Sequence, residues 1–132
     1  MKYVVALTLA LVLNATANLL MKGGMKSVAA AGGVLKDGLV AGVGTVLTSS
    51  TLMIGLICFA LNAACYMYAL QSKALKISIA YPIMVGGGYA LIVVVARLHP
   101  ALLERLTWGQ AVGVALVMLG IILIAVQTPN AA

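Results

Sequence analysis

The sequence predicts an all-α polytopic membrane protein with four transmembrane helices, working as a dimer. Hydrophobic residues make up 64% of the 132-residue chain and charged residues only 8%, with a mean hydropathy of +1.20, whereas soluble domains carry roughly 25% charge. The basic residues also fall singly between apolar runs, with charge-free intervals at 3–21, 38–72, 77–96 and 106–132, as anchors flanking membrane spans do. A bilayer is therefore the expected solvent, and a multi-pass plasma (inner) membrane location follows. Four helices enclose little room for a substrate, and a second copy would supply the other half of a cavity.

A helix rises about 1.5 Å per residue and needs about 20 residues to cross the hydrocarbon. The first interval fits one span, 3–22, ending at Lys22 as a snorkelling anchor. The second is too long for one span and too short for two, so its apolar centre, 51–71, is taken as the second span. That leaves 23–50 as a long connection rich in Gly, Ala and Ser. Within it Leu35, Leu39, Val43 and Val46 recur at helical spacing beside Lys36 and Asp37, the pattern of an interfacial amphipathic helix, with disorder as the alternative.

The third span, 77–98, contains Pro82 near its start and Gly86, Gly87 and Gly88 in mid-span. Proline removes a backbone hydrogen bond, and three positions without side chains weaken a helix, so a bend is expected there. The fourth span, 108–127, begins at Trp108, whose amphipathic ring suits the headgroup level. Its Gly113 and Gly120, seven apart on one face, permit close backbone approach and are expected to pack the dimer. The whole, 1–132, reads as one domain.

Several other readings fall away. Ala15-Thr16-Ala17 after an apolar start resembles a signal-peptide cleavage site, but the apolar run continues to Met21 and three more spans follow. The sequon Asn14-Ala15-Thr16 lies inside a span, where no glycan is added. The net charge of +6 comes from scattered residues rather than a patch, so no nucleic acid is expected. Cys58 and Cys65 are seven apart on one helix, about 10 Å along its axis, too far to bridge. One histidine, His99, makes no metal centre. Cofactors and enzyme chemistry are not expected, because no nucleophile–base set is present.

With both termini inside, that side carries Lys2, Lys73 and Lys76, and the opposite side Lys22, Lys26, Lys36, Arg97 and Arg105. So small a bias allows insertion both ways, and two opposed copies would form an antiparallel dimer related like the inverted repeats of larger transporters.

The stretch LNATANLLMK, residues 13–22, places Asn14 and Asn18 one turn apart on one face at membrane depth. Polar groups inside a membrane mark substrate pathways or hold helices together, the latter worth on the order of 1 kcal/mol. Tyr81 falls near the depth of Asn14 if the first and third spans pack. Asn62 and Tyr66, four apart on the second span, add polar groups to the cavity or bond a neighbouring helix. These five are the candidate substrate-binding residues.

Three segments together carry a resemblance. They are Leu20-Met21-Lys22, then Ile79-Ala80-Tyr81-Pro82 followed by Gly86-Gly87-Gly88, and Glu104-Arg105-Leu106-Thr107-Trp108-Gly109-Gln110 followed by Gly113 and Gly120. In their order and spacing the chain resembles the drug/metabolite transporter superfamily, especially its four-helix small multidrug resistance and EamA-like members, over the first span and residues 66–126. The resemblance implies a dimer that alternates access around a central site. In the multidrug members a first-helix glutamate binds both the proton and the cationic substrate, and counting back from Lys22 that position is Asn14 here. An amide does not titrate, and the two acids, Asp37 and Glu104, fall in predicted connections. A related branch with the Ala-Tyr-Pro pattern includes flippase subunits for sugar-modified polyprenyl lipids, which also lack the glutamate.

The expected function is therefore transport of an amphiphilic or lipid-linked substrate by alternating access, in a homodimer or a heterodimer with a related small protein. Proton-coupled export of drug cations is one alternative, and an accessory subunit without a site of its own is another.

Overall fold

The computed structural model describes residues 1–30, 32–33, 38–73, 75–98 and 107–127. They form five helices: α1 (Lys2–Ala30), α2 (Leu39–Thr48), α3 (Ser50–Ala69), α4 (Ile77–Leu98) and α5 (Trp108–Gln127). All but α2 are long and apolar enough to cross a membrane. The chain is thus an all-α, multi-pass membrane protein with four candidate spans.

Helix α1 runs on past Lys22 to Ala30, through Gly23 and Gly24. Paired glycines weaken a helix, yet Gly24 is buried and faces α3. A Cβ at Gly24 would lie 2.7 Å from both Cγ and Cδ2 of Leu52, while one at Gly23 would meet nothing within 4 Å. The reciprocal contact is Gly55 of α3, whose added Cβ would stand 3.3 Å from the Ala17 carbonyl oxygen. Ala10, Ala15, Ala17 and Ala69 are each at most 1% exposed. Small residues on both helices therefore bring the two backbones together, which is how helices associate where lipid and protein are equally apolar. The pair runs antiparallel, and at its other end the rings of Tyr3 and Tyr68 lie 5.5 Å apart.

At 29 residues, α1 is about 43 Å long, against a hydrocarbon core of about 30 Å. Its last two turns extend the rod rather than beginning a connection. Much of 23–50 is accordingly helical, as the end of α1 and as α2. Helix α2 carries Val43, exposed, and Val46, half-buried, from the amphipathic pattern; the residues at 34–37, including Leu35, Lys36 and Asp37, lie outside the described residues, as does the side chain of Leu39. Ser49, with extended backbone at φ −79° and ψ 107°, separates α2 from α3.

Helix α4 lies against α1 and α5 and is continuous through Pro82. Its glycine run is where it meets both neighbours. Gly86 abuts Ile121 and Val117 of α5, Gly87 abuts Leu11 of α1, and Gly88 abuts Asn14 of α1. Successive helical positions turn about 100°, so three bare positions in a row open a wide strip of α4 to two partners. Where the sequence suggested a bend, the structure uses the glycines for close approach. Helix α5 packs chiefly on α4 and has no buried residue. A Cβ at Gly113 or Gly120 would meet nothing within 4 Å.

The α1–α3 contact predicts a contrast. Gly24→Ala should destabilise the bundle by about 1–3 kcal/mol, because Leu52 is buried and cannot swing clear. Gly23→Ala should be neutral or stabilising by up to about 1 kcal/mol, since it adds helix propensity in open space. Equilibrium unfolding in mixed micelles, read by circular dichroism, measures both.

Candidate functional site

The candidate polar residues distribute over α1, α3 and α4, and the packing decides which of them meet. Asn14 is half-buried, and its Nδ2 points at Gly88, where a Cβ would stand 2.9 Å away. Glycine is thus what lets the amide fit between α1 and α4. Asn18 is exposed, and its Nδ2 donates to the Asn14 carbonyl oxygen at 2.8 Å and, more distantly, to Asn14 Oδ1 at 3.4 Å. The two amides form one stripe, with Asn18 folded back on its own helix. That bond satisfies the amide locally, a pattern short polar side chains adopt inside helices.

Tyr81 is not brought to Asn14. The contacts Gly87–Leu11 and Gly88–Asn14 fix the register of α4 on α1, and Tyr81 lies seven positions before Gly88, about 10 Å along the axis. Its side chain is 55% exposed. The equal-depth expectation fails because the glycine run, rather than the Ala-Tyr-Pro turn, is the part of α4 that reaches Asn14.

On α3 the opposite holds. Asn62 is only 4% exposed and is the buried polar residue of the bundle's interior. Its Oδ1 and the Tyr66 hydroxyl are both enclosed, and neither has a hydrogen-bond partner among the described residues. The antiparallel contacts Ala17–Gly55 and Tyr3–Tyr68 set a register that places Asn62 level with Leu9 and Ala10 of α1, about one turn from Asn14. Tyr66 packs against the cluster of Leu7, Ala10, Ala69, Ala80 and Met84, which joins α1, α3 and α4.

The polar groups inside the three-helix core are therefore Asn14, Asn62 and Tyr66, with Asn18 and Tyr81 at its edge. Gly88, Ala10 and Met84 help to wall this region, and sequence inspection gave them no such role. No pattern marks them, since small and apolar residues line every face of these helices. Among the described residues there is no acidic side chain and no cluster able to hold a metal ion; Asp37 and Glu104 lie outside them. Among the described residues, the site offers hydrogen-bonding groups and no carboxylate. On the opposite side of α1, Val4, Val5, Thr8, Leu9 and Val12 line an open, almost wholly apolar groove of about 350 Å³.

The chain is similar to several curated proteins. It is 41% identical over 70 residues to a probable 4-amino-4-deoxy-L-arabinose-phosphoundecaprenol flippase subunit of Shewanella sediminis, covering 53% of this chain and 46% of that protein. A protein of the same description from Aeromonas hydrophila is 36% identical over 76 residues, covering 58% and 50%. An uncharacterized protein of Sinorhizobium fredii is 35% identical over 71 residues, covering 54% and 57%. The chain spans about half the length of the curated relatives it matches. No family model and no solved structure matches it. The flippase subunits are the branch of small transporters to which Ala80-Tyr81-Pro82 pointed, and the resemblance read from the sequence stands.

Proposed function

We propose that this chain is one subunit of a small dimeric transporter in the inner membrane, which moves an amphiphilic, lipid-linked substrate by alternating access. The observation that carries the reading is the pair of enclosed groups without a partner among the described residues, Asn62 Oδ1 and the Tyr66 hydroxyl, with the Asn14 amide nearby against α4, in a chain similar to flippase subunits. Intramembrane polar groups without a structural partner are expensive and belong on a pathway. Asn14 and Asn18 supply the amide stripe, and Tyr81, about 10 Å from it along α4, is a more exposed polar group nearer the start of that helix. The substrate's polar head then travels among side chains while its tail stays in lipid. No enzymatic step is involved.

The dimer rests on α5. A Cβ added at its Gly113 or Gly120 would meet nothing within 4 Å among the described residues, and small residues on an apolar helix invite another helix. A related small protein as the second subunit is the variant favoured by the word "subunit" in the relatives' descriptions.

The test is reconstitution in liposomes containing a fluorescent glycosylated polyprenyl phosphate, scored by its exposure to a membrane-impermeant quencher. Protein should speed the exchange between leaflets at least about tenfold over empty liposomes, and an imposed pH gradient should not drive uptake of a lipophilic cation. Cation uptake that follows the gradient and is lost in Asn14→Ala would overturn the reading in favour of a multidrug exporter.

A further inference from the structure

The two orphaned groups on α3 make a more specific statement about what enters the site. Asn62 Oδ1 can only accept a hydrogen bond, and the Tyr66 hydroxyl carries a proton to donate. Each is buried with no partner among the described residues. In a bundle interior such a group costs on the order of 1–3 kcal/mol, and native proteins rarely keep two side by side without a use for them. They stand one turn apart on one face of α3, and a helical side chain leans toward its own N-terminus, which brings the tyrosine tip toward the asparagine's turn.

We infer that Asn62 and Tyr66 form a subsite that reads a hydroxyl group on the substrate's polar head. The chemistry selects among the candidates. A phosphate at neutral pH is chiefly an acceptor and leaves Asn62 Oδ1 unpaired. A quaternary ammonium has no proton to give and leaves both groups unpaired. A hydroxyl donates to Asn62 Oδ1 and accepts from Tyr66 at once, so it satisfies the pair with one oxygen. A head bearing hydroxyls, as a sugar does, is the class that fits. Asn14, about one turn along α1 from the level of Asn62, keeps its amide for a second polar atom on the same head. The inference rests on the transport reading above and deepens it: the amide stripe of α1 admits polar heads in general, and α3 discriminates among them.

Selectivity for hydroxyls is the property to measure, because a site built to hydrogen-bond an OH rejects the analogue that lacks it far more strongly than an apolar pocket rejects a change of size. Liposomes would carry either a pentosyl polyprenyl phosphate or its dideoxy counterpart, each fluorescent, with leaflet exchange read by the same quencher. Wild-type protein should move the pentosyl lipid at least about tenfold faster than the dideoxy lipid. In Asn62→Leu and in Tyr66→Phe that ratio should fall to within about twofold, through slower movement of the pentosyl lipid. Both substitutions remove a buried unpaired group while keeping its shape, so the variants should melt in detergent no lower than wild type.

A wild-type ratio near one, or a ratio that survives both substitutions, overturns the subsite; the pair would then serve only a permanently bound water or the packing of α3. Movement of both lipids without discrimination leaves the transport reading standing. If wild-type protein moves neither lipid, the transport reading falls and takes the subsite with it.

Discussion

Gly88→Val is expected to push α4 away from α1 and to lower the stability of the bundle by about 3 kcal/mol, at the upper end for overpacking. A single added Cβ would already stand 2.9 Å from Asn14 Nδ2 and 3.9 Å from the Leu11 carbonyl oxygen. Valine adds two methyl groups beyond that point, against a helix backbone that cannot rotate away. The displaced helix would also lose the neighbouring contact of Gly87 with Leu11. Movement of lipid should stop, because the wall beside Asn14 is gone. Gly113→Val supplies the control: its Cβ meets nothing within 4 Å, so the stability of the single chain should change by less than about 0.5 kcal/mol. Denaturation in mixed micelles reads both, and a Gly88→Val protein as stable as wild type would show that α1 and α4 are packed in another register.

Asn14→Leu should slow leaflet exchange of the glycosylated lipid at least about tenfold while lowering stability by no more than about 1 kcal/mol, the usual worth of a polar contact between membrane helices. Leucine is close in volume and removes only the amide. Asn18→Ala should do much less, within about threefold in rate, because the Asn18 amide is already bonded to its own helix. Equal losses for the two would contradict the separate surroundings that the structure gives them. Loss of stability well beyond that range in Asn14→Leu would instead assign Asn14 to the scaffold.

The spans were legible from composition because a bilayer imposes a length and an apolarity that few other constraints imitate. Which side of each span faces inward was not. In a soluble helix the polar face identifies the outside, but α1 and α3 are apolar nearly all round, and lipid selects the same residues as protein. Asn62 and Tyr81 show the difficulty: one is 4% exposed and the other 55%, and neither sequence context distinguishes them. The end of α1 was misjudged for a related reason. Lys22 marks the end of the apolar run, yet only the contact of Gly24 with Leu52, a residue on another helix, explains why the rod continues beyond it. The amide pair was legible, since four-residue spacing fixes a shared face whatever the surroundings. The depth of Tyr81 was not, because it depends on which part of α4 the glycines press against α1.

The loose attachment of α5 bears on how the protein is made. Its chief neighbour is α4, the helix synthesised immediately before it. The first three spans have all their mutual contacts available before the last one leaves the ribosome, so the bundle is nearly finished when α5 arrives. Biogenesis thus adds α5 last, onto a partner surface on α4 that already stands in the membrane.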